Sequence, residues 1–598
     1  MILIGARGST PALAQNNPCP RPLPGSIVSN PPDLFSHNGV LQVDFSYNTT
    51  TDSYGRTLYC FTTPDGEESP TLHVHPGDHL VIKVKNSLPL PSDSVATAMA
   101  TSRLNACGNP LMTPSSVNLH FHGTNTAPKC HQDEVLRTMI NSGDTFTYNL
   151  AFPANEPSGL YWYHPHIHGI AEAAVQGGAS GAIVVDGIQN VQPAVAKLPE
   201  QILVIRDQNV AKPPPSNDPN EPSWDISLNY VPIPYPDYTP AVIQIEPGQN
   251  QFWRVVNASA DTIIDMQLQY DGQPQTLQVV GLDGVATGSQ DGTRRGKIVD
   301  KTDILLAPAA RAEFVVAPPS SSVRKANLVT LGVDTGPLGD STPPRQMATI
   351  QLAGGASGHI REGQQPLITP EVSGKAGPQR FEGLAEARPT AQRSLYFSET
   401  PPNPGDPDRL QTFFITVDGA VPTAFDADNP PAITTTQGSV EDWTISNLAS
   451  EVHEFHIHQI HFLLMAINGV PVPSEQQQFL DMIQVPYFTG SGTPPSVTVR
   501  MDFRGQDVGD FVYHCHILGH EDNGMMAIIR VLPRGEKVST NSARPKLQIP
   551  WCLRSTGIAR SKNEMMRQYE VVTAESHRVA ALAPPEAPMC IGGIARRR

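Results

Sequence analysis

The chain has 598 residues, more than the roughly 250–300 that one hydrophobic core supports, so several domains are expected. Its 47 glycines, 59 prolines and modest aromatic content favour many short strands and turns over long helices. A net charge of −16 argues against a nucleic-acid partner, which demands clustered Lys and Arg, and no apolar run approaches the ~20 residues that a membrane span needs.

Residues 1–24 are predicted to be a remnant of an export signal followed by an N-terminal arm. The segment opens with apolar residues 2–4 and reaches an A-x-A-like cleavage pattern at residues 12–14. Gly5 and Gly8 interrupt the apolar stretch, and a disordered N-terminus fits the pattern equally well. We expect an exported protein, periplasmic or extracellular.

The first predicted β domain covers residues 25–187. At residues 76–86 a turn leads into an alternating segment, PGDHLVIKVKN, and this period of two is the signature of a half-buried strand. Two H-x-H motifs follow, at residues 120–122 and 164–166. The domain thus combines strand patterning with imidazole pairs.

The second predicted domain covers residues 188–356. It repeats the turn and strand as PGQNQFWRVVN at residues 247–257. A polar, Gly/Pro-rich linker is predicted after it, at residues 357–391. The repeat indicates that the two domains are related.

The third predicted domain covers residues 392–535. A looser copy of the repeat, QGSVEDWTISN, spans residues 437–447. Histidines then cluster in HEFHIH at residues 453–458 and in HCHILGH at residues 514–520. The tail at residues 536–598 shows no strand alternation and is assigned no function.

A second repeat carries the histidines. The segment GLYWYHPHIHG at residues 159–169 matches GDFVYHCHILG at residues 509–519. On a strand, residues i and i+2 point to one face, so each H-x-H offers two imidazoles to neighbouring metal ions. One such motif alone would favour a structural histidine pair, but four clusters, paired between the first and third domains, favour a multi-metal site.

The cluster around Cys515 is the most specific. Cys515 and His520, with His453 brought from elsewhere, supply two imidazoles and a thiolate, and Met525 lies ten residues beyond the cysteine. A His₂Cys site with a long axial Met is the blue-copper arrangement. Zinc uses similar donors, but a closed structural zinc site does not explain eight further histidines.

Strand alternation links this site to the other histidines. If Cys515 faces one copper, His514 and His516 point to the opposite face and can bind two others. Four coppers that each cycle by one electron store the four electrons that dioxygen needs to become two waters. The sequence therefore predicts four copper ions and dioxygen as a partner.

At these residues the sequence resembles the three-domain multicopper oxidases, and the laccase-like bacterial members in particular, over roughly residues 30–535. The resemblance implies an all-β fold of three cupredoxin-like Greek-key barrels or sandwiches, with the oxygen-reducing cluster between the first and third. The first domain has Pro165 where the third has Cys515, and Ile170 where it has His520, so its own blue site is absent.

Carried over by motif position, the resemblance also implies a ligand set. The type 1 copper would be held by His453, Cys515 and His520, with Met525 as the weak axial ligand. The type 2 copper would be held by His120 and His456. The type 3 pair would be held by six histidines: His122, His164, His166, His458, His514 and His516.

Two acids resemble the proton-relay acids of the family. Glu521 follows Cys515 by six residues, and Asp133 follows His120 by thirteen. Either could instead be a solvated surface acid, and both readings stay open. The remaining histidines near the motifs are interpreted as structural or supporting groups: His73, His75, His131, His168 and His461.

The seven cysteines form no C-x-x-C motif, which removes the usual signature of zinc ribbons and thioredoxin-like sites. Cys107 and Cys130 could pair, as could Cys19 and Cys60, although spacing alone does not settle the connectivity.

The expected activity is laccase-like oxidation of phenols or aromatic amines. An axial thioether such as that of Met525 gives a low type 1 potential, which suits easily oxidised substrates. A metallo-oxidase for cuprous or ferrous ions is the nearest alternative, although the 14 methionines are scattered rather than gathered in an insertion. A bilirubin-oxidase-like specificity also stays open, and a copper-free interaction scaffold would have lost ligands that are present here.

Overall fold

A computed structural model describes residues 17–90, 107–108, 112–211, 218, 220–353, 381–400 and 411–536. The export-signal remnant, most of the predicted linker and the tail after residue 536 lie outside these residues. The described chain is nearly all β, which confirms the predicted fold class. Its sheets fall in three successive segments, two main sheets to each.

The first segment packs two sheets face to face. One sheet has the order β1-β4-β9-β8-β6 and the other β3-β2-β5-β7. The strands are β1 (Asp33–Phe35), β2 (Val40–Thr51), β3 (Thr57–Thr62), β4 (Thr71–Val74), β5 (His79–Asn86), β6 (His120–His122), β7 (Thr145–Ala151), β8 (Gly159–His164) and β9 (Gly181–Val185). Helix α1 (Ala171–Gln176) lies between β8 and β9.

The second segment has larger sheets. One runs β12-β11-β10-β14-β21-β17-β18 with β19 on β17, and the other β13-β23-β22-β15-β16 with β20 on β15. A short helix α2 (Ile188–Val191) and a 3₁₀ turn (Pro193–Val195) precede it. The strands are β10 (Glu200–Asn209), β11 (Trp224–Leu228), β12 (Val231–Ile233), β13 (Ala241–Ile245), β14 (Gln251–Asn257), β15 (Ile264–Tyr270), β16 (Gln273–Pro274), β17 (Leu277–Leu282), β18 (Val285–Ala286), β19 (Val299–Lys301), β20 (Ile304–Leu306), β21 (Arg311–Val316), β22 (Ala326–Leu331) and β23 (Arg345–Leu352).

The third segment returns to the plan of the first. Its sheets run β25-β24-β27-β33-β29-β30, with β31 on β29, and β26-β35-β34-β28-β32. The strands are β24 (Ala391–Thr400), β25 (Thr412–Val417), β26 (Ile433–Thr436), β27 (Val440–Asn447), β28 (His453–Ile457), β29 (Phe462–Ile467), β30 (Val470–Pro471), β31 (Phe479–Leu480), β32 (Met482–Val485), β33 (Ser496–Asp502), β34 (Gly509–Cys515) and β35 (Met526–Leu532). A 3₁₀ turn (Ser474–Gln476) precedes β31, and helix α3 (Leu518–Asp522) follows β34.

The three turn-and-strand repeats occupy the same place in each segment. They form β5, β14 and β27, and each pairs in parallel with the first long strand of its segment, β2, β10 or β24. The turn glycines Gly77, Gly248 and Gly438 all have positive φ, a conformation that favours glycine. The repeat therefore encodes a shared supersecondary unit.

The asparagine that ends each repeat has a common structural role. Asn86, Asn257 and Asn447 are fully buried. Each amide nitrogen donates to two or more backbone carbonyls, and each amide oxygen accepts the backbone N–H two residues on. Because buried polar groups must be paired, an asparagine of this kind fixes the loop that leaves the strand.

Both disulfides that the cysteine spacing suggested are present, Cys19–Cys60 and Cys107–Cys130. The first ties the N-terminal arm to β3. Cys515 is free and buried. No helix in the described ranges is long and apolar enough to cross a bilayer.

The described end of the predicted linker packs against the molecule. Phe381 and Leu384 are buried among Val285, Val440 and Phe479, which come from the second and third segments. The boundaries of the three domains stay predictions.

Candidate metal centre

The histidine motifs lie on neighbouring strands of two sheets. In the first segment β6 and β8 are antiparallel, with His120 opposite His164. In the third segment β28 and β34 are antiparallel, with His456 opposite His514. Antiparallel pairing thus brings two separate motifs together in each segment, and the first and third segments meet at these strands.

Three histidines form a close triangle between the segments. The Nε2 atoms of His166 and His458 lie 3.1 Å apart, those of His458 and His514 3.2 Å, and those of His166 and His514 3.3 Å. All three side chains are buried. Three imidazole nitrogens that point at one another are arranged as ligands of one ion.

A second set, His122, His164 and His516, lies beside the first. The ring of His122 is 5.9 Å from that of His164 and 4.9 Å from that of His516, centroid to centroid. Buried nitrogens of each ring lack a partner, namely His122 Nδ1, His164 Nε2 and both ring nitrogens of His516. Together the two sets comprise the six histidines that the resemblance assigned to the type 3 pair.

His120 and His456 each use one nitrogen for support and leave the other free. His120 Nδ1 lies 3.0 Å from Asp133 Oδ1, and His456 Nδ1 donates to the backbone oxygen of Asp481 over 2.8 Å. The Nε2 atoms of both are buried without a partner. Such supported imidazoles are typical of metal ligands, whose remote nitrogen is usually hydrogen-bonded.

The cysteine lies in a separate site. Cys515 Sγ is 3.7 Å from His453 Nδ1 and 3.7 Å from His520 Nδ1, and those two nitrogens are 3.0 Å apart. The thiol is fully buried, and burial raises its pKa well above the ordinary value. Coordination to a metal would offset this cost, since a metal-bound cysteine is deprotonated.

Met525 is buried in the same apolar cluster as Cys515. Its backbone oxygen accepts from Cys515 N at 3.1 Å, and its N–H donates to His520 O at 3.0 Å. Helix α3, which carries His520, and the turn after it thus return Met525 to the cysteine site.

The residues fit copper. Burial first, and then neighbouring imidazoles, lower the pKa of His120, His456, His458 and His516 well below the usual range, so their lone pairs are free. A buried nitrogen without a partner is costly, and a metal ion would satisfy it. Thiolate, thioether and imidazole donors together suit copper better than a hard cation.

The two candidate acids are buried at the histidines, not solvated. Glu521 Oε2 is 3.0 Å from His514 Nδ1, and its Oε1 is 3.6 Å from His166 Nδ1. Asp133 contacts His120 and accepts from Gln459 Nε2 at 2.6 Å. Burial alone would raise the pKa of Glu521, but His166 and His514 lower it to about 2. Burial raises the pKa of Asp133 to about 8.

Sequence reasoning missed Asp481 and Arg311. Asp481 Oδ1 lies 3.3 Å from His122 Nε2, and Arg311 makes a two-pronged ion pair with the same carboxylate. The only signal for Arg311 was a charge at the start of the mostly apolar strand β21, which also contains Glu313. Asp481 stands before an apolar strand like many surface acids, so nothing in its neighbourhood marked it.

The other histidines have supporting contacts. His73 lies between Asp33 and Asp186, and His75 is 3.3 Å from Asp78. His131 Nδ1 is 2.7 Å from a backbone oxygen, and His461 Nε2 is 2.7 Å from the backbone oxygen of Asp283. His168 packs on Phe425.

Comparison with known proteins gives the family. Two models described as multicopper oxidase match residues 398–535 and residues 105–190, the parts of the chain that carry the histidine motifs. The two matched parts of the chain are therefore multicopper oxidase domains, and the protein is an oxidoreductase. The family of these domains implies copper binding and oxygen as the acceptor.

Several relatives resemble this oxidase over most of its length. The rice protein (Oryza sativa subsp. japonica) named multicopper oxidase LPR1 homolog 3 is 22% identical over 554 residues, which cover 80% of this chain and 95% of the rice protein. The laccase of Bacillus subtilis is 24% identical over 414 residues, 63% of this chain and 71% of the laccase. A Campylobacter jejuni structure titled a metallo-oxidase is 21% identical with a TM-score of 0.60, and the match covers 86% of this chain and 96% of that one.

Proposed function

We propose that this oxidase takes electrons one at a time from phenols or aromatic amines and reduces dioxygen to two waters with four copper ions. The observation that carries the proposal is the position of Cys515. Its sulfur lies 3.7 Å from both His453 Nδ1 and His520 Nδ1, while the adjoining His514 belongs to the Nε2 triangle. One peptide unit thus joins two sites of different donor chemistry.

The residues proposed to hold the four ions are those of the histidine motifs and the cysteine site. His453, Cys515 and His520 would hold the type 1 copper with Met525, and His120 and His456 the type 2 copper. The type 3 pair would be held by two sets of three: His122, His164 and His516, and His166, His458 and His514. When bound, the four ions supply one-electron steps that together match the four-electron demand of dioxygen.

The two buried acids supply proton handling beside these histidines. With its pKa raised to about 8, the Asp133 carboxyl can hold a proton at neutral pH. With its pKa lowered to about 2, Glu521 is an ionised carboxylate beside the Nδ1 atoms of His514 and His166. Two carboxyl groups in opposite protonation states are typical of acid–base sites.

Glu451 marks the side from which a reductant would approach. Its Oε2 lies 3.4 Å from His520 Nε2, the nitrogen that faces away from Cys515. A carboxylate there can accept the proton that a phenol loses on oxidation.

The same carboxylate supports a second candidate function, metal-ion oxidation. Gln411 Nε2 donates to Glu451 at 3.2 Å and to Glu399 at 2.9 Å, so two carboxyl groups lie side by side near His520. Burial first, and then Glu451, raise the pKa of Glu399 to about 8. A ferrous ion would find oxygen ligands here, and the Campylobacter relative is titled a metallo-oxidase.

Copper analysis tests the main proposal, and steady-state kinetics separates the substrates. We expect four copper atoms per chain, a visible thiolate-to-copper band, and a higher kcat/KM for a methoxyphenol than for ferrous or cuprous ions. Far fewer than four atoms would contradict the proposal. A preference for a metal ion, lost at least tenfold in Glu451→Gln but kept in the surface control Glu475→Gln, would favour the second candidate.

We also propose that the protein is exported to the periplasm or the extracellular space. The disulfides Cys19–Cys60 and Cys107–Cys130 support this location, because disulfides persist in oxidising compartments.

A further inference from the structure

Arg311 connects the second segment to the histidine clusters. It opens β21 and is fully buried. Its Nη1 and Nη2 donate to Asp481 Oδ1 and Oδ2 over 2.6 and 2.5 Å, and its Nε donates to Leu160 O at 3.2 Å. One side chain of the second segment thus contacts the first segment at β8 and the third segment just before β32.

Asp481 in turn supports a candidate ligand from each of those segments. Its Oδ1 lies 3.3 Å from His122 Nε2, and its backbone oxygen accepts from His456 Nδ1 at 2.8 Å. These contacts occupy one nitrogen of each ring. The nitrogens left unpartnered, His122 Nδ1 and His456 Nε2, are the ones available to a metal.

The second segment also holds the backbone at Asp481. Asp283 Oδ2 accepts the N–H groups of Asp481 and Met482, each over 3.3 Å. Asp283 Oδ1 accepts Arg311 N at 2.9 Å. Both the side chain and the main chain of Asp481 are therefore fixed by the second segment.

Gly123 shows how closely the ion pair lies beside the ligand strand. This residue directly follows His122 and has a φ of +83°. A Cβ atom there would overlap both Arg311 Nη2 and Asp481 Oδ2. The chain after His122 therefore needs glycine to admit the pair.

The geometry of the Arg311–Asp481 ion pair indicates that it orients neighbouring side chains rather than adding to the stability of the fold. A bidentate guanidinium–carboxylate contact fixes the planes of both the guanidinium and the carboxylate, which a lysine ammonium cannot do. A buried ion pair is weak evidence for net stability, because desolvation of the charges offsets their attraction. What the pair does supply is a defined angle for the two rings that Asp481 supports.

We propose that Arg311 is a positioning residue for the trinuclear copper cluster. The second segment, which contributes none of the candidate ligands, sets the orientation of His122 and His456 by holding Asp481. This inference rests on the proposed four-copper function.

The test compares copper-loaded variants that weaken this contact in steps. Asp481→Asn keeps the shape but removes the charge, Arg311→Lys keeps the charge but removes the planar fork, and Arg311→Met removes both. For each we would measure copper atoms per chain, the visible type 1 band, the type 2 electron paramagnetic resonance signal and turnover. Arg254→Lys is the matched control, because Arg254 is another buried arginine of the second segment, paired with Glu313 and Glu200.

We expect Asp481→Asn and Arg311→Met to keep the type 1 band, bind fewer than four coppers, lose the type 2 signal at least fivefold and lose turnover at least tenfold. Arg311→Lys should fall between these variants and the parent. Should Arg311→Met fail to fold, Asp481→Asn decides. Four coppers and an intact type 2 signal in Asp481→Asn would overturn the inference, as would an equal copper loss in Arg254→Lys. Fewer than four coppers in the parent protein would instead overturn the proposed function.

Discussion

At the scale of single residues, Glu521 combines two features that rarely occur together. It is fully buried, yet its pKa is lowered to about 2, because His166 and His514 outweigh the burial that would raise it. Its two oxygens lie on the Nδ1 sides of two rings whose Nε2 atoms belong to the triangle. The carboxylate can therefore both orient these rings and exchange protons with them.

We predict that Glu521→Gln slows oxygen reduction at least tenfold but leaves reduction of the type 1 copper unchanged. The amide keeps the shape of the side chain and loses the charge and the proton affinity. Anaerobic stopped-flow bleaching of the visible band measures reduction of the type 1 copper. The return of this band after dioxygen is added measures reoxidation of the enzyme by oxygen. Unchanged reoxidation would contradict the role in proton handling. The matched control is Glu172→Gln on α1.

Site residues could be predicted from the sequence when a short motif contained them. They could not be predicted when their contacts join distant parts of the chain. Each H-x-H motif can be recognised from its own residues, because the side chains at i and i+2 of a strand point to the same face. Glu521 and Asp133 were marked only by a resemblance, and their burial was not predictable. Arg311 and Asp481 meet across 170 residues of chain, and no local pattern encodes such a contact.

At the scale of elements, His73 joins three strands of the first segment. Its Nε2 lies 3.1 Å from Asp33 Oδ1 on β1, and its Nδ1 lies 3.3 Å from Asp186, which follows β9. The ring stacks on Phe35 with centroids 4.4 Å apart. Burial would lower the pKa of His73, but the hydrogen bonds to Asp186 and Asp33 raise it to about 9.

This raised pKa predicts a stability that falls with rising pH. Because the folded pKa exceeds the unfolded value of about 6.5, the contribution is complete below about pH 6.5 and is lost as pH rises through about 9. The shift corresponds to about 3 kcal/mol at most. We expect His73→Gln to lower the thermal midpoint clearly at pH 6 and much less at pH 9.5. Equal losses at both pH values, or the same pattern in the exposed control His79→Gln, would contradict the ion-pair account.

Strand prediction succeeded at this scale because alternation is local, whereas pairing is not. The three repeats were expected as strands and form β5, β14 and β27. Their parallel partners β2, β10 and β24 come from residues far away in the chain, so the sheet order could not be read from them. The same limit applied to Phe381 and Leu384, which a polar, Gly/Pro-rich composition placed in a linker and which are buried.

At the scale of the whole molecule, the histidine clusters form part of the contact between the first and third segments. His166 from one and His458 and His514 from the other approach within 3.3 Å. The ring nitrogens of these histidines are buried and have few partners. A metal ion that binds only the folded state stabilises that state by RT ln(1 + [L]/Kd). At a thousandfold excess over Kd this amounts to about 4 kcal/mol for each site.

We therefore predict that removal of copper loosens this junction selectively. In the chelated protein the thermal midpoint should fall, and amides of β6, β8, β28 and β34 should exchange hydrogen faster. Amides of β13, β22 and β23 should change little, because that sheet of the second segment carries none of the candidate ligands. Hydrogen-exchange mass spectrometry on the copper-loaded, chelated and reloaded protein measures both groups. If all six sheets loosened equally, the ions would act through global stability, and the proposed placement between the first and third segments would be wrong.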